Sequence, residues 1–196
     1  MTKVMGMDLI LNAAVFLITL FATLGFFHRD GEWKLSNGKK AFRFFTVLSN
    51  VFCAAASLLM CFAPSGTAVW LLKYVGTVAV TVTMLTVFLF LGPNMGYREL
   101  LKGRDLFMHL LTPLLALFSL CVMERRGLSF PAALLGLLPV AVYGGWYLYR
   151  VLYAPADRRW EDFYGFNKGG KWPLSFFLML LGSFLICMAL RRLLNA

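Results

Sequence analysis

Residues 69–91 read VWLLKYVGTVAVTVTMLTVFLFL, and Lys73 is the only charge among them. At 1.5 Å per residue this run makes a helix of about 35 Å, enough to cross the roughly 30 Å hydrocarbon core of a bilayer. The whole chain has 196 residues and is 60% hydrophobic, with a mean hydropathy of +0.75. A soluble domain of that length cannot hide so much apolar surface, so the bilayer is its solvent.

Working outward from that stretch, comparable apolar runs cover 8–27, 41–62, 106–123, 130–149 and 172–190. With 69–91 they predict an all-α polytopic integral membrane protein: six transmembrane helices in one bundle, residues 1–196 forming a single domain. Turn-forming residues mark the joints at Asp30-Gly31, Asn37-Gly38, Pro64-Ser65-Gly66, Gly92-Pro93-Asn94 and Gly169-Gly170. Pro131 suits the first turn of the fifth span, whereas Pro113 and Pro139 should kink their spans. Gly144-Gly145 should let a neighbouring helix approach closely. The first run, from Leu9 to Phe27, is too long for a signal-peptide core and lacks a small-residue cleavage site, so it reads as the first span.

Charge sets the orientation. Arg29, Lys34, Lys39, Lys40, Arg43, Arg98, Lys102, Arg104, Arg150, Arg158, Arg159, Lys168 and Lys171 fall in or beside the first, third and fifth loops. The other side carries Lys3, Lys73, Arg125, Arg126, Arg191 and Arg192. The positive-inside rule therefore predicts that loops 28–41, 92–105 and 150–171 are cytoplasmic and both termini outside. It also accounts for the net charge of +10 without nucleic acid, since these bases sit beside membrane spans facing anionic headgroups. Cys53, Cys61, Cys121 and Cys187 show neither CxxC nor metal-ligand spacing, so the chemistry calls for no metal or other cofactor.

Two polar residues stand out against this background. Thr46 in the second span and His109 in the fourth each lie a few residues from ends facing the same side, within roughly 5–8 Å of the interface. A histidine inside a membrane is costly unless paired or used, and a hydroxyl within its reach completes a minimal nucleophile and base. Thr46, Ser49, Asn50 and Cys53 share one helix face. Asn50 and Ser49, with Thr112 one turn beyond His109, are candidates for an oxyanion donor or pocket wall. The plainer alternative is that Ser, Thr and Asn join helices by hydrogen bonds. No third group emerges to orient His109: Asp105 is interfacial, and Asp8 is at the wrong end of the first span.

The stretches Phe-Thr-Val-Leu-Ser-Asn (45–50) and His-Leu-Leu-Thr-Pro (109–113), in a six-span frame, resemble the androgen-induced protein and androgen-dependent TFPI-regulating protein family, with its bacterial relatives. The resemblance covers most of the layout but only these two motifs in sequence. It implies a membrane threonine hydrolase that cleaves fatty acid esters of hydroxy fatty acids, with Thr46 as nucleophile and His109 as base. As a bacterial relative the chain would sit in the cytoplasmic membrane. The shorter central region and basic loops depart from the animal members, so the identity of the substrate does not transfer with the motifs.

Two alternatives stay open from the residues alone. Thr46 and His109 can form a structural hydrogen bond in a small transporter or accessory subunit. An acyltransferase would pass an acyl group to another acceptor, with Cys53 as a possible nucleophile. Loop five, rich in Trp160, Tyr164 and Trp172, reads as an aromatic belt or as a lid over the site. Lys73, Thr77 and Thr81 form a stripe on the third span, with Lys73 expected to snorkel outward. Oligomeric state is not legible.

Overall fold

The computed structural model describes residues 2–29 and 31–196. Among the described residues the fold is all-α apart from one two-residue-per-strand hairpin, β1 (His28–Arg29) and β2 (Glu32–Trp33). Its helices are α1 (Thr2–Gly25), α2 (Leu35–Ala41), α3 (Phe45–Phe62), α4 (Thr67–Met95), α5 (Arg104–Met123), α6 (Phe130–Tyr153) and α7 (Trp172–Asn195). All but α2 are long and apolar enough to cross a membrane. The chain is a six-helix integral membrane protein.

The opening stretch forms the central helix. Every residue of α4 from Lys73 to Thr83 is buried, and α4 packs against α3, α5, α6 and α7. Tyr74, Val78 and Val82 meet Leu120 of α5, Val140 of α6, and Cys187 and Leu190 of α7 in the main apolar core. Small residues set the helix spacing. A Cβ added at Gly76 would lie 2.8 Å from the Cys53 Cα, so α3 and α4 touch backbone to backbone there. Gly144, as expected, takes a neighbour, the Phe176 ring of α7, whereas nothing lies within 4 Å of a Cβ at Gly145. The outward faces remain apolar, as on α7 at Leu178 and Leu185, which suits contact with lipid chains.

Prolines in the spans go with widened or tightened turns rather than helix ends. Pro113 has no N–H for the His109 carbonyl four residues back, and the turn Phe107–Leu111 is a π-helix. A 3₁₀ turn, Leu135–Leu137, precedes Pro139. Two expected joints differ. Gly92-Pro93-Asn94 lies within α4, because the π turn Val87–Leu91 accommodates Pro93 and the helix stops only at Gly96, with φ 87°. Asn37-Gly38 lies inside α2, where Gly38 is buried against the Phe27 ring. Of the Asp30-Gly31 pair, Gly31 has the turn conformation, φ 80°, and Asp30 lies outside the described residues.

The third difference positions the site. The run 41–62 is not one helix: the chain breaks at Phe42–Phe44, with Phe44 extended, and α3 begins at Phe45. Long-range contacts hold the break open. The Tyr143 hydroxyl donates to the Arg43 carbonyl at 2.7 Å, and the Phe45 N–H donates to the Tyr164 hydroxyl at 3.0 Å.

Candidate functional site

The break moves Thr46 into the first turn of α3, where backbone N–H groups lack helical acceptors. The Tyr164 phenol oxygen takes the Phe45 N–H and also lies against the Thr46 amide. Burial outweighs the pull of the two amides and leaves the Tyr164 phenol raised to about 12. The Thr46 hydroxyl makes no hydrogen bond to any described residue and lines a cavity of about 40 Å³ with Thr83, Thr86, Val140, Tyr143, Tyr164 and Phe176. That volume holds water and excludes an ester.

His109 is buried at 8% exposure in the centre of the π turn of α5. Its Nδ1 lies 2.6 Å from the Leu100 carbonyl oxygen. A carbonyl only accepts, so Nδ1 carries the proton and, in the neutral ring, Nε2 keeps the lone pair of a base. Leu100, at the end of the helical turn Tyr97–Leu100 before α5, is thus the orienting group that no side-chain motif reveals. No hydrogen bond joins Asp105 to His109, and none joins His109 to Thr46.

Asn50 links the two candidates. Its Nδ2 donates to the Thr46 carbonyl at 2.8 Å and to the Met108 carbonyl at 3.0 Å. Both amide hydrogens are therefore committed, and Oδ1 is a buried acceptor without a partner among the described residues. Ser49 donates to the Thr46 carbonyl at 3.1 Å and lies 2.9 Å from the Thr83 hydroxyl. Thr112 lies 3.3 Å from the Thr19 hydroxyl, joining α5 to α1. In this state Ser49, Asn50 and Thr112 join helices around the site. Cys53 is wholly buried against Gly76, away from the cavity.

Loop five roofs the cavity. One carboxylate organises it: Asp162 Oδ1 accepts from the Tyr147 hydroxyl at 2.8 Å and the Phe166 amide at 3.0 Å, and Oδ2 accepts from the Asn167 amide at 2.7 Å. Trp160 takes the guanidinium groups of Arg43 and Arg150 over its ring, and Phe163 packs on Phe44. This arrangement is a docked roof as much as an interfacial belt. Behind Tyr164 and Phe166 a cleft of about 460 Å³ runs between α4 and α7, reaching Leu89, Ser175 and Ile186. Tyr164, Phe166, Thr86, Leu91 and Met179 line both spaces.

The other end of the bundle holds a second polar group. Lys73 does not snorkel: it is fully buried and donates to Asn12 Oδ1 at 2.8 Å and Ser57 Oγ at 2.7 Å. Asn12 passes the link to Glu124 Oε1, which also accepts from Ser119 at 2.9 Å. These acceptors, with the Glu124 charge one residue removed, hold the ammonium inside. Thr77 and Thr81 spend their hydroxyls on carbonyls of their own helix, Lys73 and Thr77, and form no track through the membrane.

The chain matches no family model, no curated protein and no solved structure.

Proposed function

We propose that this protein is an integral membrane hydrolase that cleaves a lipid ester, with Thr46 as nucleophile and His109 as general base. The observation that carries this reading is the Tyr164 phenol oxygen, seated on the first amides of α3 beside an unengaged threonine hydroxyl. An oxygen held by helix-terminal N–H groups, next to a free hydroxyl in an apolar cavity, occupies the place an ester's oxyanion would take.

The reaction begins when loop five lifts Tyr164 away and an acyl chain enters from the α4–α7 cleft. The π turn carrying His109, already one residue over-long, shifts to bring Nε2 to the Thr46 hydroxyl. Nε2 takes the Thr46 proton as Oγ bonds to the ester carbon, and the carbonyl oxygen becomes an anion against the Phe45 and Thr46 amides. The carbon–alkoxy bond then breaks, and His109 returns the proton to the departing alcohol. Water adds to the acyl-threonine, its proton passing through His109 back to Thr46, and a carboxylic acid leaves. The Leu100 carbonyl keeps the imidazole oriented and stabilises it when charged. The basic loops support a reaction at the cytoplasmic face, and the resemblance of residues 45–50 and 109–113 makes a fatty acid ester of the kind the threonine-hydrolase family cleaves the first substrate to try, without fixing its identity.

The test is hydrolysis of such an ester by the purified protein in detergent. Thr46→Ala and His109→Gln should each lower kcat/KM by about a thousandfold or more. Full activity in a folded Thr46→Ala variant contradicts the assignment. An acyl group recovered on an added alcohol in preference to water would instead make the enzyme an acyltransferase using the same acyl-threonine.

A further inference from the structure

The end of the bundle opposite Thr46 contains a cavity of about 280 Å³ lined by Asp8, Asn12, Cys61, Glu124, Arg125 and Arg126, among others. Glu124 is 6% exposed, and its Oε2 and the Asp8 Oδ1 are buried without a donor among the described residues. A buried carboxylate oxygen left without a donor carries an uncompensated desolvation cost. The nearby cations do not supply that donor. Lys73 donates to Asn12 and Ser57. Arg126 donates to the Pro64 and Ser65 carbonyls and lies over Trp70. Arg125 is held only through Nε, 3.5 Å from the Leu194 carbonyl, which leaves its terminal nitrogens without a described partner. The cavity thus sets two carboxylates, Asp8 and Glu124, beside two guanidiniums, Arg125 and Arg126, a lining that matches a zwitterion.

We propose that this cavity binds the headgroup of an aminophospholipid. A primary ammonium supplies the donors that Glu124 Oε2 and Asp8 Oδ1 lack, as charge-assisted hydrogen bonds stronger than those a water would give. The phosphate meets the free edge of Arg125. The depth is right, because α3 stops at Phe62 and α5 at Met123 beside the cavity. Leu9 in its lining is exposed, as are Leu59 and Phe62, which flank the lining residues Met60 and Cys61 in sequence, and these side chains offer an apolar face to the acyl chains. This site is independent of Thr46 and stands whether or not the hydrolase reading does.

Native mass spectrometry of the detergent-solubilised protein tests it, with phosphatidylethanolamine and phosphatidylcholine of identical chains as probes. A trimethylammonium has no N–H to donate, so the ethanolamine lipid should be retained about tenfold more, the worth of one charge-assisted hydrogen bond. Asp8→Ala should bring the two lipids towards parity, whereas Arg125→Gln should weaken the retention of both alike, because they share the phosphate. Both residues lie outside the Lys73–Asn12–Glu124 chain, and an unchanged melting temperature confirms the folding of the variants. Displacement by soluble phosphoethanolamine would place recognition in the headgroup. Equal retention of the two lipids, or a preference that survives Asp8→Ala, overturns the proposal.

Discussion

Replacing Lys73 with methionine keeps most of the apolar stem and deletes the ammonium. The side chain is fully buried and its Nζ holds two acceptors, Asn12 Oδ1 at 2.8 Å and Ser57 Oγ at 2.7 Å. The variant leaves both without that donor and removes the cation that the buried Glu124 carboxylate faces through Asn12. Each stranded buried acceptor costs about 1–3 kcal/mol, and breaking a buried charge pair from one side costs about 3–5 kcal/mol. We take about 4 kcal/mol as the working figure. For a domain of this size one kcal/mol moves the midpoint by about 2–4 °C, so the melting temperature in detergent should fall by about 8–16 °C. Adding Glu124→Gln removes the stranded charge while keeping an acceptor for Asn12 and Ser119, and should recover more than half of the loss. The double-mutant cycle isolates that coupling. If Lys73→Met melts within about 2 °C of the parent, or the two substitutions simply add, the reasoning that this chain of bonds is one electrostatic unit fails.

Other expectations follow from single contacts. Gly76→Ala puts a methyl 2.8 Å from the Cys53 Cα, so α3 and α4 must separate, and stability should drop by about 1–3 kcal/mol, read as a lower melting temperature. Asp162→Ala removes the acceptor for Tyr147, Phe166 and Asn167, and limited proteolysis within residues 154–171 should become markedly faster. The docked loop holds Tyr164 neutral, with its phenol raised from 10.0 to about 12. Docking is therefore fully stabilised below pH 10 and weakens as the pH rises from about 10 towards about 12, where the undocked phenol ionises first. Proteolysis of the loop should accelerate across that window in the parent, and Tyr164→Phe should show no such step.

The membrane architecture was legible because hydropathy over twenty residues is a local property, and all six apolar runs became spans. What escaped was set by contacts distant in sequence. Nothing in residues 41–45 announces a break, since the Arg43 carbonyl and Phe45 amide are held by Tyr143 and Tyr164, about a hundred residues away. Thr46 therefore begins a helix instead of lying a turn and a half inside one. His109 was recognisable by its cost in a membrane, but its orienting partner is a backbone carbonyl, and every residue has one. Lys73 reads as a snorkelling base until Asn12 and Ser57 arrive from α1 and α3 to receive its protons. A charge near a helix end carries no sign of which way it turns. Only the packed neighbours decide that.

The central claim is an activated hydroxyl at Thr46. The direct measurement is reaction of the purified protein with a fluorophosphonate, followed by mass spectrometry to locate the adduct, with Thr46→Ala and His109→Ala as controls. The account predicts an adduct on Thr46 that is absent from Thr46→Ala and lost in a folded His109→Ala variant. A folded parent protein that takes up no label, or carries it elsewhere, would contradict it.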